Sequence, residues 1–408
     1  MRNTFKLNKK QLLFKNKVIE VRLCWKIRPG WIKEKETLNI FFHKLYKSNS
    51  DGEILAIATF WGEEFPLIVK EGKKIIFNFD PDECIEYLLS ERYITKKRPL
   101  YTFFPFHYHK FPFRIALTKI KYFFLKKNFV DFPSWPIDTS VEAIRYMFLN
   151  SLKLVSKNVL TSPLWPDNKK FGVSVTHDID TEEGFDSIKP FLEIEKKLGI
   201  TSCINIVPQY YKISQNLIDT LKSDGFEIGI HGYNHSNKLP YLTKKQIIKR
   251  FNCCKAFIRK NGAKGFRSPS LLLSERLIGI LPSYFIYDSS IPDTERYLAD
   301  SKASGCCSVF PFLRGRIIEI PLTVPMDATM ICAGFTPEQI YKIWLKKAEW
   351  IKKVGGLVLI TTHPEKHYSG KKSMLKIYGR ILKLLRKDKD AHFDLPKNIA
   401  QTFRKRLC

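Results

Sequence analysis

The sequence has no long apolar run. No window approaches the roughly 18 uncharged apolar residues that a membrane-spanning helix needs, and the first residues never reach the apolar stretch of a signal peptide. Cysteine is also scarce: nine cysteines are spread thinly over 408 residues, with no C-x-x-C spacing. Reduced thiols in a cytosol fit this usage better than a disulfide framework. We therefore expect a cytoplasmic protein with neither a signal peptide nor a membrane span.

Acidic residues are few compared with basic ones. Lys and Arg total 69 against 40 Asp and Glu, a formal net charge of +29. Such a charge can serve an acidic partner, but the excess is spread over both halves of the chain, so we expect a Lys-rich surface and no nucleic-acid partner. The stretch from Lys96 to Lys127 interleaves basic residues with Phe and Tyr. It fits either a helix in peripheral contact with the anionic inner face of a membrane or a helix that packs its aromatic side chains inward.

The chain is too long for one ordinary compact core, and its 44% hydrophobic residues are enough to fold it. Residues 1–132 mix short apolar runs with turns and predict a smaller α+β domain without a catalytic signature. Residues 133–168 contain a helical stretch bracketed by prolines, which predicts a linker. Residues 169–408 are expected to form a β/α barrel with C-terminal helices.

A regular alternation of strands and helices begins at Phe171. Ser214, Thr243 and Thr336 are placed to cap helices, and the last of these helices is expected to end near Gly355. Repeated β-α units imply a mainly parallel sheet, and about seven of them imply a closed or nearly closed barrel.

Polar residues occur where the predicted strands of this barrel end. They are Asp178 and Asp180 after the first strand, His231 and His235 after the third, Arg267 at the end of the fourth, Asp288 at the end of the fifth and His363 at the end of the last. Parallel β/α barrels place their active sites at this face. We therefore predict one site built from these residues.

His231 and His235 form the core of the predicted site. Their four-residue spacing lets both imidazoles point to one side of a helical turn, although a lone pair at this spacing is more often structural. With a carboxylate from the neighbouring strand end they supply three protein ligands and leave an open water position, the arrangement of catalytic zinc. Of Asp178 and Asp180, one can bind the metal while the other takes a proton from the water. We expect both to reach the site because the strand turns after Thr176.

The remaining polar residues suggest supporting roles. Arg267 can hold the carboxylate base through a bidentate pair, and His363, oriented by Asp288, can protonate a leaving amine. The alternative for Arg267 and Asp288 is an ordinary ion pair at the barrel rim. His177 either supports the site from behind or points away from it.

From Phe171 to about residue 370 the sequence resembles the polysaccharide deacetylases of the NodB-homology type, carbohydrate esterase family four. The resemblance implies a distorted (β/α)7 barrel with one divalent metal. Zinc is the expected metal, with Co, Fe, Ni and Mn left open. The phrase WPDNKKFGVSVTHDID resembles a subgroup associated with surface-polysaccharide synthesis. The implied roles are base for Asp178, metal ligand for Asp180, His231 and His235, tether of the base for Arg267 and acid for His363.

Several positions depart from the pattern of that family. Ile179 separates two aspartates that are usually adjacent, and Gly232 stands where Ser or Thr usually forms a loop hydrogen bond. Ser270 replaces an aromatic residue, and Thr361 replaces an aliphatic residue. The Trp expected near Asp288 is absent, with Ser289 and Ser290 there instead. These changes leave the metal and acid–base residues in place. They fall in the surrounding pocket, so the sugar is the least specified part of the predicted function.

The sequence thus predicts a metal-dependent hydrolase that removes an N-acetyl group from a sugar, a polysaccharide or a lipid-linked glycan. Hydrolysis of another non-peptide C–N bond, in a small amide or ureide, is the nearest alternative. An alternative of another class is a non-catalytic basic protein that binds glycan, lipid or nucleic acid. A non-haem iron oxygenase with two His and one carboxylate is disfavoured, because it leaves Arg267 and His363 without roles.

Overall fold

The chain divides into two compact units. The computed structural model describes residues 5–7, 10–12, 17–24, 37–47, 51–60, 62–95, 98–103, 132–156, 159, 163–296 and 303–407. One unit comprises residues 1–95, 130–162 and 304–308, and the other comprises residues 96–129, 163–303 and 309–408. Most of the predicted basic and aromatic helix between Lys96 and Lys127 lies outside the described residues.

The first unit is built on a six-stranded sheet. Its elements are strands β1 (Phe5–Leu7), β2 (Lys10–Leu12), β3 (Lys17–Leu23), β4 (Thr37–Phe42), β5 (Leu45–Lys47), β6 (Glu53–Phe60), β7 (Glu63–Glu71) and β8 (Lys74–Phe77) and helices α1 (Pro81–Leu89) and α2 (Ser140–Val155). The sheet order is β1-β8-β7-β6-β3-β4; β1 and β8 are parallel and the other neighbours antiparallel. Strands β2 and β5 form a separate antiparallel pair. Apolar side chains of β3, β4, β6, β7 and β8 share one buried core.

Helix α2 belongs to the first unit. The sequence placed it in a linker over residues 133–168, but Val141, Ile144 and Met147 are fully buried in the same core as the strands. The Ser140 hydroxyl also accepts a hydrogen bond from the backbone N–H of Phe41 at 3.1 Å. Prolines mark where a helix begins and ends, but they carry no information about what covers its apolar face.

The second unit contains a mainly parallel sheet. Its strands are β9 (Phe171–Ile179), β10 (Cys203–Ile206), β11 (Glu227–His231), β12 (Gly265–Arg267), β13 (Tyr287–Asp288), β14 (Phe312–Arg314), β15 (Ile317–Glu319), β16 (Leu357–Thr362) and β17 (Ala391–Phe393). Seven strands in the order β15-β13-β12-β11-β10-β9-β16 pair in parallel. Every residue of β9, β10, β11 and β16 is buried, as expected for strands covered on both faces. The predicted α/β content with parallel strands is therefore confirmed.

Two strands of this sheet were not predicted. Strand β14 lies antiparallel to β15, and β17 lies parallel to the first residues of β9. Both are three residues long, too short for an alternation pattern to reveal them.

The chain after β15 contacts the other end of the sheet. The Thr323 hydroxyl donates to the carbonyl of Leu357 at 2.6 Å and accepts from the N–H of Leu359 at 2.8 Å. The N–H of Val324 donates to the carbonyl of Leu359 at 3.3 Å. These bonds join residues that follow β15 to β16, so the sheet is curled.

Helices connect the strands of the second unit. They are α3 (Glu182–Asp186), α4 (Lys189–Leu198), α5 (Gln215–Ser223), α6 (Lys244–Asn261), α7 (Glu275–Ile280), α8 (Asp327–Cys332), α9 (Pro337–Val354), α10 (Lys372–Lys387) and α11 (Pro396–Leu407), with 3₁₀ turns at Leu100–Phe103, Leu239–Tyr241, Pro269–Leu271 and Leu281–Ser283. The predicted caps are confirmed: Ser214, Thr243 and Thr336 each accept a backbone N–H of the first turn, and Gly355 ends α9 in the left-handed region. Within the described part of the chain, no helix is long and apolar enough to cross a bilayer.

Candidate metal centre

Strand β9 brings two aspartates to one face of the sheet. It runs through Asp178 to Ile179, and Asp180 follows directly. The predicted turn after Thr176 is therefore wrong. It is also unnecessary, because residues two apart on a strand point to the same face. His177, with the opposite parity, points away.

The side chain of His177 lies on the other face of β9, within a buried polar network. Its Nε2 is 2.7 Å from Glu195 Oε1, and its Nδ1 is 2.7 Å from the Thr362 hydroxyl. The hydroxyls of Ser202 and Tyr378 also donate to Glu195, at 2.7 and 2.5 Å. This network joins β9 to α4 and α10 and supplies no ligand to the site, which decides between the two predictions made for His177.

Asp180, His231 and His235 converge at the ends of β9 and β11. Asp180 Oδ1 lies 3.2 Å from His231 Nε2 and 3.0 Å from His235 Nε2, and all three residues are buried. His231 ends β11, whereas His235 lies in the following loop with φ of 53°. The two imidazoles therefore meet through a loop with a left-handed residue, and the predicted helical turn between them is wrong.

These three residues fit a divalent metal. Their ligand atoms all lie within 4.8 Å of one another, and one carboxylate with two imidazoles is a donor set of catalytic zinc. The carbonyl oxygen of Arg267 is 3.2 Å from His231 Nδ1, so a proton on Nδ1 leaves the Nε2 lone pair facing Asp180. Burial opposes the charge on Asp180, but His235 and His231 outweigh it and hold the pKa of Asp180 well below its usual range.

Asp178 lies beside this cluster with its two oxygens in different environments. Its Oδ1 accepts hydrogen bonds from Arg267 Nη1 at 2.9 Å and from Asn205 Nδ2 at 2.8 Å. Its Oδ2 is 4.0 Å from His363 Nε2. Burial favours the neutral carboxyl, yet the charge of Arg267, with those of His231 and His363, lowers the pKa of Asp178. Oδ2 is thus the oxygen left to accept a proton.

Arg267 is fully buried and held by several acceptors. Its Nη1 donates to Asp178 and to the hydroxyls of Thr176 and Thr361 at 2.8 and 3.2 Å. Its Nε and Nη2 donate to the carbonyl and the hydroxyl of Ser289 at 2.8 and 2.9 Å. The contact with Asp178 uses one nitrogen and one oxygen, so the predicted bidentate pair is wrong. Thr361 and Ser289, two departures from the family pattern, serve as acceptors for this guanidinium.

His363 is oriented by Asp327, the first residue of α8. Asp327 Oδ1 is 2.7 Å from His363 Nδ1, and Asp327 Oδ2 accepts the backbone N–H of His363 at 2.8 Å and the Ser369 hydroxyl at 2.5 Å. Burial alone lowers the pKa of His363. The contact with Asp327, together with the charges of Asp180 and Asp178, outweighs burial and raises that pKa to about 10.

The predicted pairing of His363 with Asp288 is wrong. Tyr287 points into the interior of the unit, where its hydroxyl donates to Glu227 at 2.9 Å, so Asp288 points to the opposite face. There Asp288 accepts from the Ser290 hydroxyl at 2.5 Å and lies beside Glu319, its partner in the β13–β15 register. Burial raises the pKa of Asp288 to about 6 and that of Glu319 well above its usual range.

Two site residues were missed by the sequence reasoning. Asn205 is the one amide side chain in the apolar strand β10, and a polar residue in such a strand could have indicated a site residue. Asp327 has the position of an ordinary acidic residue in the first turn of a helix, so nothing local distinguishes it.

Part of the chain matches a known family. Residues 166–281 match the family model for polysaccharide deacetylases. This stretch belongs to the polysaccharide deacetylase family. It includes both aspartates, both histidines of the metal cluster and Arg267, and it ends before His363. No curated protein sequence matches the chain.

Solved structures are similar to part of the chain. A Mycobacterium smegmatis protein assigned to the polysaccharide deacetylases is 18% identical over 61% of this chain and 96% of that chain, with a TM-score of 0.49. A Pseudomonas aeruginosa PAO1 protein with the same assignment is 14% identical over 61% and 95%, with a TM-score of 0.49. Puue allantoinase is 13% identical over 61% and 95%, with a TM-score of 0.48.

Gly232, which replaces the Ser or Thr usual in the deacetylase family, is required by its surroundings. Its φ is +71°, and a Cβ there would lie 2.6 Å from the ring of Pro269. The loop is held instead by a 2.8 Å hydrogen bond from Asn237 Nδ2 to the Ser270 hydroxyl, with Ser270 in the place of the expected aromatic residue.

Gly232→Ser, although it restores the family residue, is therefore expected to destabilise the protein. Backbone strain and the collision with Pro269 should together cost about 1–3 kcal/mol of the free energy of unfolding, measured by denaturant titration. Gly334→Ser is the matched control, because Gly334 has φ of +82° but no atom within 4 Å of the added Cβ. Equal losses of stability in both variants would mean that the collision with Pro269 contributes nothing.

Proposed function

We propose that this protein is a metal-dependent hydrolase that removes an N-acetyl group from a sugar or polysaccharide precursor, in surface-polysaccharide synthesis. The family match supports a hydrolase. The observation that carries the proposal is the convergence of three parts: the buried Asp180, His231 and His235 cluster, the free oxygen of Asp178, and His363 4.0 Å from that oxygen. The curled parallel sheet supports our further proposal of a distorted (β/α)7 barrel as its scaffold.

Asp178 is proposed as the general base. A metal held by Asp180, His231 and His235 would lower the pKa of a bound water toward about 7 and polarise the substrate carbonyl. Asp178 accepts the proton of the attacking water on Oδ2, because Oδ1 is occupied by Arg267 and Asn205. The two hydrogen bonds to Oδ1 keep the carboxylate ionised and fix the direction of Oδ2.

His363 is proposed as the general acid. Asp327 holds its ring through Nδ1 and keeps it protonated, which leaves the Nε2 proton pointing toward Asp178 and the reacting group. Attack forms the new C–O bond, and transfer of the Nε2 proton to the leaving nitrogen accompanies breakage of the C–N bond. The first products are acetic acid and a free amine, with one proton gained by Asp178 and one lost by His363. The acetic acid then releases its remaining proton to solvent or to the amine and leaves as acetate.

An acetate-release screen tests this function. With added Zn²⁺, we expect the purified protein to release acetate from N-acetylhexosamine conjugates, and a chelator should abolish the release. Ammonia or open-chain products from small amides or ureides, without acetate from any conjugate, would instead establish the alternative C–N hydrolase.

A non-catalytic basic binding protein remains the alternative of another class. It predicts glycan, lipid or nucleic-acid binding that weakens with salt and survives Asp180→Ala. The segment from Lys96 to Lys127 lies mostly outside the described residues. Its contact with anionic membranes is therefore tested by experiment and not argued from the structure. Cosedimentation with vesicles containing anionic lipid would favour membrane contact, and recovery of all protein in the supernatant would favour a helix that packs its aromatic side chains inward.

A further inference from the structure

Glu365 is a buried acid that the mechanism above does not use. It follows His363 by two residues, in the loop after β16, and its side chain reaches the loop after β9. There Oε1 accepts the backbone N–H of Asp180 at 3.0 Å, the backbone N–H of Thr181 at 3.1 Å and the Thr181 hydroxyl at 3.1 Å. One oxygen therefore receives three donors from the metal-ligand loop.

The loop after β9 is shaped around this oxygen. A Cβ at Gly184 would lie 2.3 Å from Glu365 Oε1, so any larger residue would displace the carboxyl group. Thr181 is also the N-cap of α3, where it accepts the N–H of Gly184 at 3.4 Å. Glu365, Thr181 and Gly184 thus form one packed turn directly after Asp180.

Such a turn fixes the backbone from which the Asp180 carboxylate projects. Asp180 leaves the strand pairing at the end of β9, so its backbone N–H has no ladder partner and is satisfied by Glu365 instead. Partners that orient a metal ligand typically change metal affinity about 10–100-fold when they are removed. The same contact couples the loop that carries the acid His363 to the loop that carries Asp180.

We propose that Glu365 is a positioning residue for the metal site, acting through its hydrogen bonds to the backbone of Asp180 and Thr181. The inference rests on the metal site of the proposed function but not on its substrate. It is independent of whether acetate is the product, since the property that Glu365 controls is metal affinity.

Zn²⁺ affinity, measured by competition with a chromophoric chelator, tests this role. Glu365→Ala should weaken Zn²⁺ binding about 10–100-fold. Glu365→Gln should stay close to wild type, because its amide oxygen accepts the same three donors. Gly184→Ala leaves the glutamate in the sequence but displaces its carboxyl group, so it should weaken binding as Glu365→Ala does.

Glu195→Ala is the control for loss of a buried glutamate. Glu195 has three side-chain hydrogen-bond partners in the same unit, none of them a proposed ligand. It is expected to lower stability and leave Zn²⁺ affinity unchanged in the folded protein. If Glu365→Ala does not fold, Gly184→Ala and Glu365→Gln carry the comparison.

The outcomes separate this inference from the proposed function. Wild-type affinity in both Glu365→Ala and Gly184→Ala would overturn the role of Glu365 and leave the hydrolase intact. Equal losses in Glu365→Gln and Glu365→Ala would also overturn it, because charge and not hydrogen bonding would then be responsible. Tight Zn²⁺ binding without acetate release would contradict the deacetylase alone, and a wild type that binds no Zn²⁺ would overturn both.

Discussion

Asp180→Ala is expected to remove bound metal and turnover together, whereas Asp178→Asn is expected to keep the metal and lose turnover. The two residues lie on one face of β9 and its extension, yet their contacts differ. Asp180 faces two imidazole nitrogens at 3.0 and 3.2 Å, while Asp178 faces Arg267, Asn205 and His363. Their roles should therefore separate in one experiment.

The loss of metal in Asp180→Ala follows from the small number of protein ligands. Without Asp180, the site keeps only two of its three protein ligands, the two imidazoles. The loss of metal affinity should therefore exceed the roughly 10–100-fold loss typical of orienting partners. Loss of the base in Asp178→Asn should lower kcat about 10²–10⁴-fold. The asparagine can still accept from Arg267, so the fold of the site should persist.

Metal content by elemental analysis and initial rates on the same protein samples provide the measurements. Glu195→Ala serves again as a control for general loss of stability. Asp180→Ala that stays active without metal would refute the assignment, and so would Asp178→Asn that loses its metal. Full activity of Asp178→Asn would leave the protein without the proposed base.

The common face of the site could be predicted from sequence because it follows from strand polarity. Asp178, Asp180, His231, Arg267 and His363 lie at or just after the ends of parallel strands, and parallel strands end at the same edge. Apolar runs reveal where a buried strand ends even when its partners are unknown. The proximity of these residues can therefore be predicted without knowing any long-range contact.

The face of a very short strand could not be predicted in the same way. Strand β13 has two residues, so Tyr287 and Asp288 offer no alternation from which to decide which side chain points inward. Only the contacts of Tyr287 with the interior, made by residues 60 and 84 positions away, decide it. The error in assigning Asp288 as the partner of His363 has this origin.

Residues that act through other residues were the hardest to predict. Glu365 and Asp327 reach their partners across 185 and 36 positions, and each stands in an ordinary local context. The helix α2 gives a related example, since its apolar stripe predicts burial but not the surface that buries it. In these cases a local pattern indicates that a contact is needed and long-range packing selects the partner.

Asp327→Asn is expected to shift the alkaline limb of activity to lower pH. His363 must carry a proton to donate to the leaving amine, and Asp327 is the main group that raises its pKa, to about 10. Without that carboxylate, burial opposes the protonated form and only the charges of Asp180 and Asp178 still favour it, so the pKa of His363 falls. The protonated form is then lost as pH rises through this lower value. Above that lower pKa the variant should approach the activity of His363→Ala, about 10²–10⁴-fold below wild type.

The kcat–pH profile distinguishes this role from simple loss of structure. Asp327→Asn should recover much of its activity at acidic pH, where His363 is protonated without help, whereas His363→Ala should remain low at every pH. Asp288→Asn is the matched control, because Asp288 lies on the opposite face beside Glu319, and its profile should follow wild type. If Asp288→Asn shifted the alkaline limb and Asp327→Asn did not, the pairing of His363 with Asp327 would not be the functional one. A profile of Asp327→Asn that is lowered uniformly, with its limbs unmoved, would mean that Asp327 supports the loop and does not set the protonation of His363.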